Sequence, residues 1–199
     1  MLQHYDISKT IVGCDEAGRG CLAGAVFAAA VILPSDFEHP LINDSKKLSF
    51  EQRMKAREII FKSAIEYAIE YCTPQEIDEI NILNASILAM HKALSKLSAT
   101  FEMIIVDGNR FKPFKNIPYK CVVKGDGKYY AIAAASILAK TERDLYMLQI
   151  HEEFPHYHWN KNKGYPTKDH RLALEKYGIS KYHRKSFAIC QSVLQARLF

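Results

Sequence analysis

Apolar positions fall in short blocks, and their spacing switches along the chain between a strand period of two and a helical period. Ile11-Val12-Gly13-Cys14-Asp15 and residues 24–33 read as two strands joined by the turn Gly18-Arg19-Gly20. The second is so rich in Ala and Val that both its faces are expected to be buried. Pro34 ends it, and a polar loop with Asn43-Asp44-Ser45-Lys46-Lys47-Leu48 follows. Ser49 and Gln52 make a capping box, after which Met54, Phe61, Ile65 and Ala68 fall on one helical face. Ile65, Tyr67, Ile69 and Tyr71 alternate by two, so this helix is expected to give way to a strand near Ile65.

Thr73 and Glu76 form a second capping box with Pro74 at the first helical position. The helix it opens is expected to run to about Leu97, with Ile87, Met90, Leu94 and Leu97 as a core stripe. Met103–Val106 and Tyr119–Val123 are short apolar strands, followed by an Ala-rich helix from near Tyr129 to about Phe154, where Pro155 stops it. Thr167 caps a further helix ended by Gly178, and a last helix is expected over Phe187–Leu198. Alternating strands and helices predict an α/β core over residues 1–155, with residues 156–199 as a basic helical extension packed on the same domain.

Composition keeps the chain among ordinary globular proteins: 199 residues, 48% hydrophobic and 25% charged. The longest apolar run, Cys21–Leu33, is too short to span a bilayer, and the N-terminus lacks the basic-then-apolar pattern of a signal peptide. Cys14, Cys21, Cys72, Cys121 and Cys190 are scattered without metal-type spacing, so reduced thiols in a cytoplasmic, non-membrane protein are expected. The net charge of +5 is uneven: residues 156–185 carry +6 and the remainder −1. Such a segment suits a polyanionic partner, although a solvated basic face has the same composition.

Three strands end in acids beside glycine: Asp15-Glu16, Asp107-Gly108 and Gly125-Asp126-Gly127. One Asp-Gly is ordinary turn chemistry. Neighbouring strand residues point to opposite faces, so Asp15 and Glu16 can share a site only if the backbone bends or ends there. Four clustered carboxylates would repel one another unless cations were present, and hard divalent ions with oxygen ligands answer that need. Two such ions can activate a water and stabilise the leaving oxygen in phosphodiester cleavage. The chain has no zinc-type Cys or His pair, P-loop or Gly-x-Ser-x-Gly, which argues against zinc hydrolysis, nucleotide-loop phosphoryl transfer and acyl transfer.

Six ordered motifs are similar to those of bacterial ribonuclease HII: Asp15-Glu16-Ala17-Gly18-Arg19-Gly20, Asp44-Ser45-Lys46-Lys47-Leu48, Val106-Asp107-Gly108-Asn109, Lys124-Gly125-Asp126, Ala134-Ala135-Ser136-Ile137-Leu138-Ala139-Lys140 and Gly164-Tyr165-Pro166-Thr167. The resemblance spans about residues 10–190. It implies a ribonuclease H-like mixed sheet flanked by helices, with a C-terminal helical extension. It also implies an endonuclease that cuts the RNA strand of RNA–DNA hybrids and incises 5′ of single ribonucleotides in duplex DNA, leaving 3′-hydroxyl and 5′-phosphate ends. Two Mg²⁺ or Mn²⁺ ions would be held by Asp15, Glu16, Asp107 and Asp126.

By the same resemblance Gly18, Arg19 and Gly20 would contact the ribonucleotide through backbone groups at its 2′-hydroxyl, the group that tells RNA from DNA. Tyr165 would stack on the sugar of the following deoxynucleotide. Lys46, Lys47, Ser136, Lys140, Arg143, His170, Arg184 and Ser186 would meet phosphates; Lys140 and Arg143 equally suit a helix surface. Cys21 and Ala25 stand where the family usually has prolines. Ribonuclease HIII typically has Lys at the position of Arg19 and an added N-terminal domain, for which the ten residues before Ile11 leave no room. The last five residues, with Gln195, Leu198 and Phe199, resemble peptides that dock on the bacterial sliding clamp, as the frayed end of an amphipathic helix also would. A monomer is expected. A different ribonuclease H-like nuclease or resolvase, or a non-catalytic nucleic-acid-binding module, are the competing readings.

Overall fold

The computed structural model describes residues 2–43 and 45–196, with Lys46 through its backbone alone. Five strands form one mixed sheet in the order β3-β2-β1-β4-β5: β1 Ile11–Ala17, β2 Val26–Ile32, β3 Glu66–Cys72, β4 Met103–Asp107 and β5 Tyr119–Val122. β1–β2 and β2–β3 are antiparallel pairs, whereas β1–β4 and β4–β5 are parallel. Parallel pairing brings the C-terminal ends of β1, β4 and β5, and the acids at or just beyond them, to one edge.

Every residue of β2 is buried because both faces of the sheet are covered. Ala28, Ala30 and Ile32 pack with Val12 and Cys14 under α2 (Pro74–Lys96), against Ile77, Ala85, Met90 and Leu94. Ala29, Val31 and Leu33 face α1 (Phe50–Ser63) and α3 (Tyr130–Glu153), meeting Ala56, Ile60, Ala134 and Leu138. Both capping boxes form as the sequence predicts. The face expected for the first helix does not. Ala56 and Ile60 are its buried pair, while Phe61 stacks on Tyr67 at 4.6 Å and Ile65 lies outside the helix, 59% exposed. Nor is α2 continuous: Asn81 adopts φ 65° and ψ 163°, and its side-chain oxygen accepts the amides of Leu83 and Asn84 to start the helix again.

Between Pro155 and Thr167 lie a short turn, Pro155–Tyr157, and α4 (Trp159–Asn162), neither anticipated from the basic composition. Trp159 is fully buried there. α5 (Lys168–Tyr177) and α6 (Ala188–Ala196) complete the extension. It closes over the loop after β1. Leu22 and Ala23 pack with Met147, Trp159, Leu174 and Cys190, and the amides of Leu22 and Gly24 donate to the carbonyls of Gly164 and Tyr182, both at 2.8 Å. All five cysteines are free, and no helix among the described residues is long and apolar enough to cross a membrane.

α3 reaches β1 because Gly13 has no side chain: a Cβ there would lie 2.2 Å from the carbonyl carbon of Ala131. Backbone cannot yield as a side-chain tip can. Substitution G13A is therefore expected to destabilise the fold by about 1–3 kcal/mol or more, read as a lower urea midpoint with an unchanged slope.

Candidate active site

β1 and β4 pair in parallel from Ile11–Met103 to Cys14–Val106, which sets Asp15 beside Asp107 at the point where that pairing stops. β1 itself continues to Ala17, held only by β2, where Asp15 opposes Ala29 and Glu16 opposes Ala28. The strand thus does not end at the acidic pair, which rules out one of the two conditions that strand alternation allows. Asp15 and Glu16 share a site because the side of β1 facing β4 is left open there.

Asp15, Glu16, Asp107, Gly18, Arg19, Gly20, Ser136, Lys140 and Tyr165 line one cavity of about 260 Å³. Ser45 is a further lining group. Its motif was visible in the sequence but its part was not; it is 3% exposed and its hydroxyl lies 3.0 Å from that of Ser136. Another cavity, of about 230 Å³, sits at the opposite end of β1, where Asp6 is bonded to Ser8 and Glu102 accepts the Thr10 amide. Of these two cavities, only the first gathers acids from both β1 and β4.

Burial drives the Asp15 carboxyl well above its ordinary range, and the charges of Glu16 and Asp107 push it further. The Ser136 hydroxyl and the Glu16 amide, 2.7 Å from Oδ1, oppose that shift. Glu16 is raised as well, chiefly by burial, against the pull of Arg19 at 3.1 Å. Asp107 Oδ1 accepts the Gly125 amide at 2.7 Å, which ties β4 to the Gly125–Gly127 turn carrying Asp126. Asp126 is 4% exposed and does not line the cavity.

Three mutually repelling carboxylates, Asp15 buried and Glu16 and Asp107 half-buried, are the donor set a hard divalent cation requires, and a fourth lies in the adjoining turn. Among the described residues, no three acids, histidines or cysteines already stand at metal-holding spacing. Glu16 is turned to Arg19 and Asp107 to Gly125. The donor chemistry fits, and the spacing would have to close on binding.

The residues expected at phosphates separate into two groups. Lys47 is exposed beside the cavity in the short turn Ser45–Lys47, and Lys140 lines the cavity with its ammonium 2.6 Å from Asp144. Tyr165, 40% exposed, stands 4.0 Å from where a Gly20 Cβ would be. Arg143, His170 and Arg184, by contrast, are fully buried and cannot meet a phosphate as placed. Arg143 donates to the carbonyls of Ala23, Ala25 and Lys163, and Arg184 to those of Gly18, Arg19 and Gly24. The Ser186 hydroxyl is bonded to Asp78 at 2.6 Å. The side chain of Lys46, and Leu198 and Phe199, lie outside the described residues; Gln195 is exposed in α6.

His170 belongs to an internal chain. The Ser180 amide donates to His183 Nδ1 at 2.9 Å, so His183 carries its proton on Nε2 and donates to His170 Nε2 at 3.1 Å. His170 Nε2 also accepts Trp159 Nε1–H, which leaves His170 Nδ1–H to donate to the Tyr165 carbonyl at 2.9 Å. Both rings are neutral, and together they fix the loop that carries Tyr165.

A family model described as Ribonuclease HII matches residues 12–190. The chain belongs to the ribonuclease HII family. It is 59% identical over 195 residues to the Ribonuclease HII of Christiangramia forsetii, covering 98% of each chain. The ribonuclease H2 of Pyrococcus horikoshii superposes with a TM-score of 0.81 at 23% identity, over 94% of this chain and 98% of that one. RNase HII in the PCNA:RNase HII complex of Archaeoglobus fulgidus gives 0.74 at 26%, over 88% and 93%. Bst-RNase HIII in complex with Mn²⁺ gives 0.72 at 17%, over 94% and 70%. The fold is ribonuclease H-like, the protein is an endonuclease that hydrolyses phosphodiesters, and the family's activity is ribonuclease H activity on RNA–DNA hybrids.

Burial lowers His183 to about 3 from an ordinary 6.5. The unfolded chain takes up that proton near pH 6.5 and the folded one only near 3, so stability is lost as pH falls between those values. The expected loss from this group is about 2 kcal/mol at pH 5. Urea unfolding at pH 7 and pH 5 checks it: H183Q should begin less stable and lose less on acidification.

Proposed function

We propose that this ribonuclease HII incises duplex DNA on the 5′ side of a single ribonucleotide, besides cutting the RNA strand of hybrids, and that it uses divalent ions held by Asp15, Glu16, Asp107 and Asp126. The observation that carries this reading is one cavity that combines Asp15, Glu16 and Asp107 with the Gly18-Arg19-Gly20 turn and Tyr165. Carboxylates alone would serve any nuclease of this fold. The added turn and ring suit a group that must sense one sugar.

When bound, Mg²⁺ or Mn²⁺ would supply an activated water and neutralise charge at the departing 3′-oxygen. The chain's own part is positional. Gly18, Arg19 and Gly20 would hold the ribonucleotide by backbone groups at the 2′-hydroxyl, Tyr165 would stack on the next sugar, and Lys47 and Lys140 would contact phosphates. Exposed Lys161, Lys168, Arg171, Lys176, Lys181 and Lys185 would grip the duplex by charge, giving strongly salt-dependent affinity without base specificity.

The test is a DNA duplex with one ribonucleotide, incubated with Mg²⁺ or Mn²⁺. A single cut 5′ of that nucleotide is expected; cutting elsewhere, or none, defeats the reading. Substitution D107N should lower the rate about 10³-fold or more while duplex binding persists. A non-catalytic binding module would show no difference between the two proteins.

A sliding-clamp partner is also proposed, through the C-terminal peptide with Gln195, Leu198 and Phe199. Its support is the sequence of that peptide, together with the likeness to the Archaeoglobus RNase HII, which forms a complex with PCNA. Deleting Leu198-Phe199 should abolish capture by immobilised bacterial clamp and leave cleavage of the free duplex unchanged. Equal capture of both proteins refutes the docking.

A further inference from the structure

Arg184 is 0% exposed, and the described residues give its guanidinium no carboxylate partner. Four hydrogen bonds leave the guanidinium, and all of them run to main-chain oxygens. Nη2 reaches Gly18 O at 2.8 Å and Gly24 O at 2.9 Å, Nη1 reaches Arg19 O at 2.9 Å, and Nε reaches Gly24 O at 3.0 Å. Its own amide donates to Leu22 O at 2.9 Å, and its guanidinium carbon lies 5.2 Å from the centre of the Phe187 ring. Burial lowers its pKa only to about 10, so it stays charged at neutral pH.

A trans peptide points its N–H opposite to its C=O. Where Arg184 draws the carbonyls of Gly18 and Arg19 inward, the amides of Arg19 and Gly20 must therefore face outward. Gly18 is buried, whereas Arg19 and Gly20 are exposed and line the cavity. Among the described residues neither outward amide has a protein acceptor. A second guanidinium supports the turn from beneath. Arg143 packs so closely that a Cβ on Gly18, which has φ +97°, would fall 1.9 Å from Arg143 Nε. The turn therefore cannot relax toward Arg143, and Arg184 fixes which way its peptide planes face.

We propose that Arg184 is a positioning residue for ribonucleotide recognition, turning the Arg19 and Gly20 amides into a fixed donor pair for an oxygen of the substrate sugar. This rests on the ribonuclease reading given above and names what organises its recognition surface. A lysine at position 184 would keep the charge, but its single ammonium cannot span three carbonyls in the plane that a guanidinium does.

The decisive measurements are kcat and duplex affinity for R184K and R184A, on preparations that circular dichroism shows to be folded at the assay temperature. We expect kcat on the single-ribonucleotide duplex to fall about 100-fold, the scale of a small misplacement of a positioning group. The duplex Kd should stay within about twofold, because the exposed lysines supply the phosphate contacts. Low-millimolar guanidinium should restore part of the R184A rate, and methylammonium should not. A merely structural role would move stability without this split or this selectivity. Hydrogen exchange on the wild-type protein gives a measurement that needs no variant. In chelator, the Arg19 and Gly20 amides should gain protection from the ribonucleotide-bearing duplex and not from its all-deoxy counterpart. Folded variants with kcat within threefold of wild type, or equal protection by both duplexes, overturn the proposal. A wild-type protein that does not cut beside the ribonucleotide overturns the ribonuclease reading itself, a different and separately visible result.

Discussion

The parallel pairing of β1 with β4 ends at Cys14 and Val106, and the rest of the site follows from that termination. One residue further on, Asp15 and Asp107 stand side by side, both acidic and both drawn back from solvent. β1 runs on to Ala17 without a partner on that side, so Glu16 also reaches the opening. Burial and like charge then raise the carboxyls of Asp15 and Glu16 above their ordinary range, a stored electrostatic cost that the well-packed sheet beneath must offset. Such a cost persists only where the surrounding fold holds the groups together, and here it does. β2 is buried along its whole length between two helical layers, and Gly13 lets α3 lie directly on β1.

The glycine turn is built differently from the carboxylate cluster. The carboxylates sit on or beside strands, but residues 18–25 form a loop with no ladder of their own. Several of their backbone groups are bonded from outside the loop: by Arg143 of α3, and by Gly164, Tyr182 and Arg184 of the C-terminal extension. The basic extension thus contributes to the site without its buried residues touching the cavity. The neutral pair His170 and His183 does the same for Tyr165, holding its carbonyl while the ring stays exposed.

Local chemistry was what the sequence could disclose. Strand ends with Asp-Gly, both capping boxes and the Ala-rich α3 depend on neighbours within a few residues, and each lies where its pattern predicts. The burial of Arg143, His170 and Arg184 is not legible from their types, since arginine is usually exposed and histidine intermediate, whether on a helix such as α3 or in the basic segment. Their burial is decided by carbonyls and rings more than ten residues away, such as Gly18 for Arg184 and His183 for His170. The break at Asn81 escaped for a related reason: the core stripe from Ile87 to Leu97 lies wholly beyond it, and the backbone turns at a single residue. The continuation of β1 past Glu16 was equally hidden: residue patterns mark where a strand carries acids, not which of its two neighbours stops first.

Burying the two guanidiniums also alters the electrostatics of the turn. Exposed lysines such as Lys168 and Lys185 are screened by salt over about 8 Å at physiological ionic strength, and their long side chains lose entropy when they engage a phosphate. Arg143 and Arg184 are fixed in place and shielded from ions, so their charge acts on the glycine turn almost independently of salt. Together they hold carbonyls from both ends of the loop, Gly18 and Arg19 on one side and Ala23, Gly24 and Ala25 on the other. Charge that ordinarily attracts a polyanion is here spent on shaping backbone, and the outward face it leaves is one of amide donors. A donor face held rigidly from behind can discriminate between a hydroxyl and a hydrogen on a sugar, which mobile surface charge cannot.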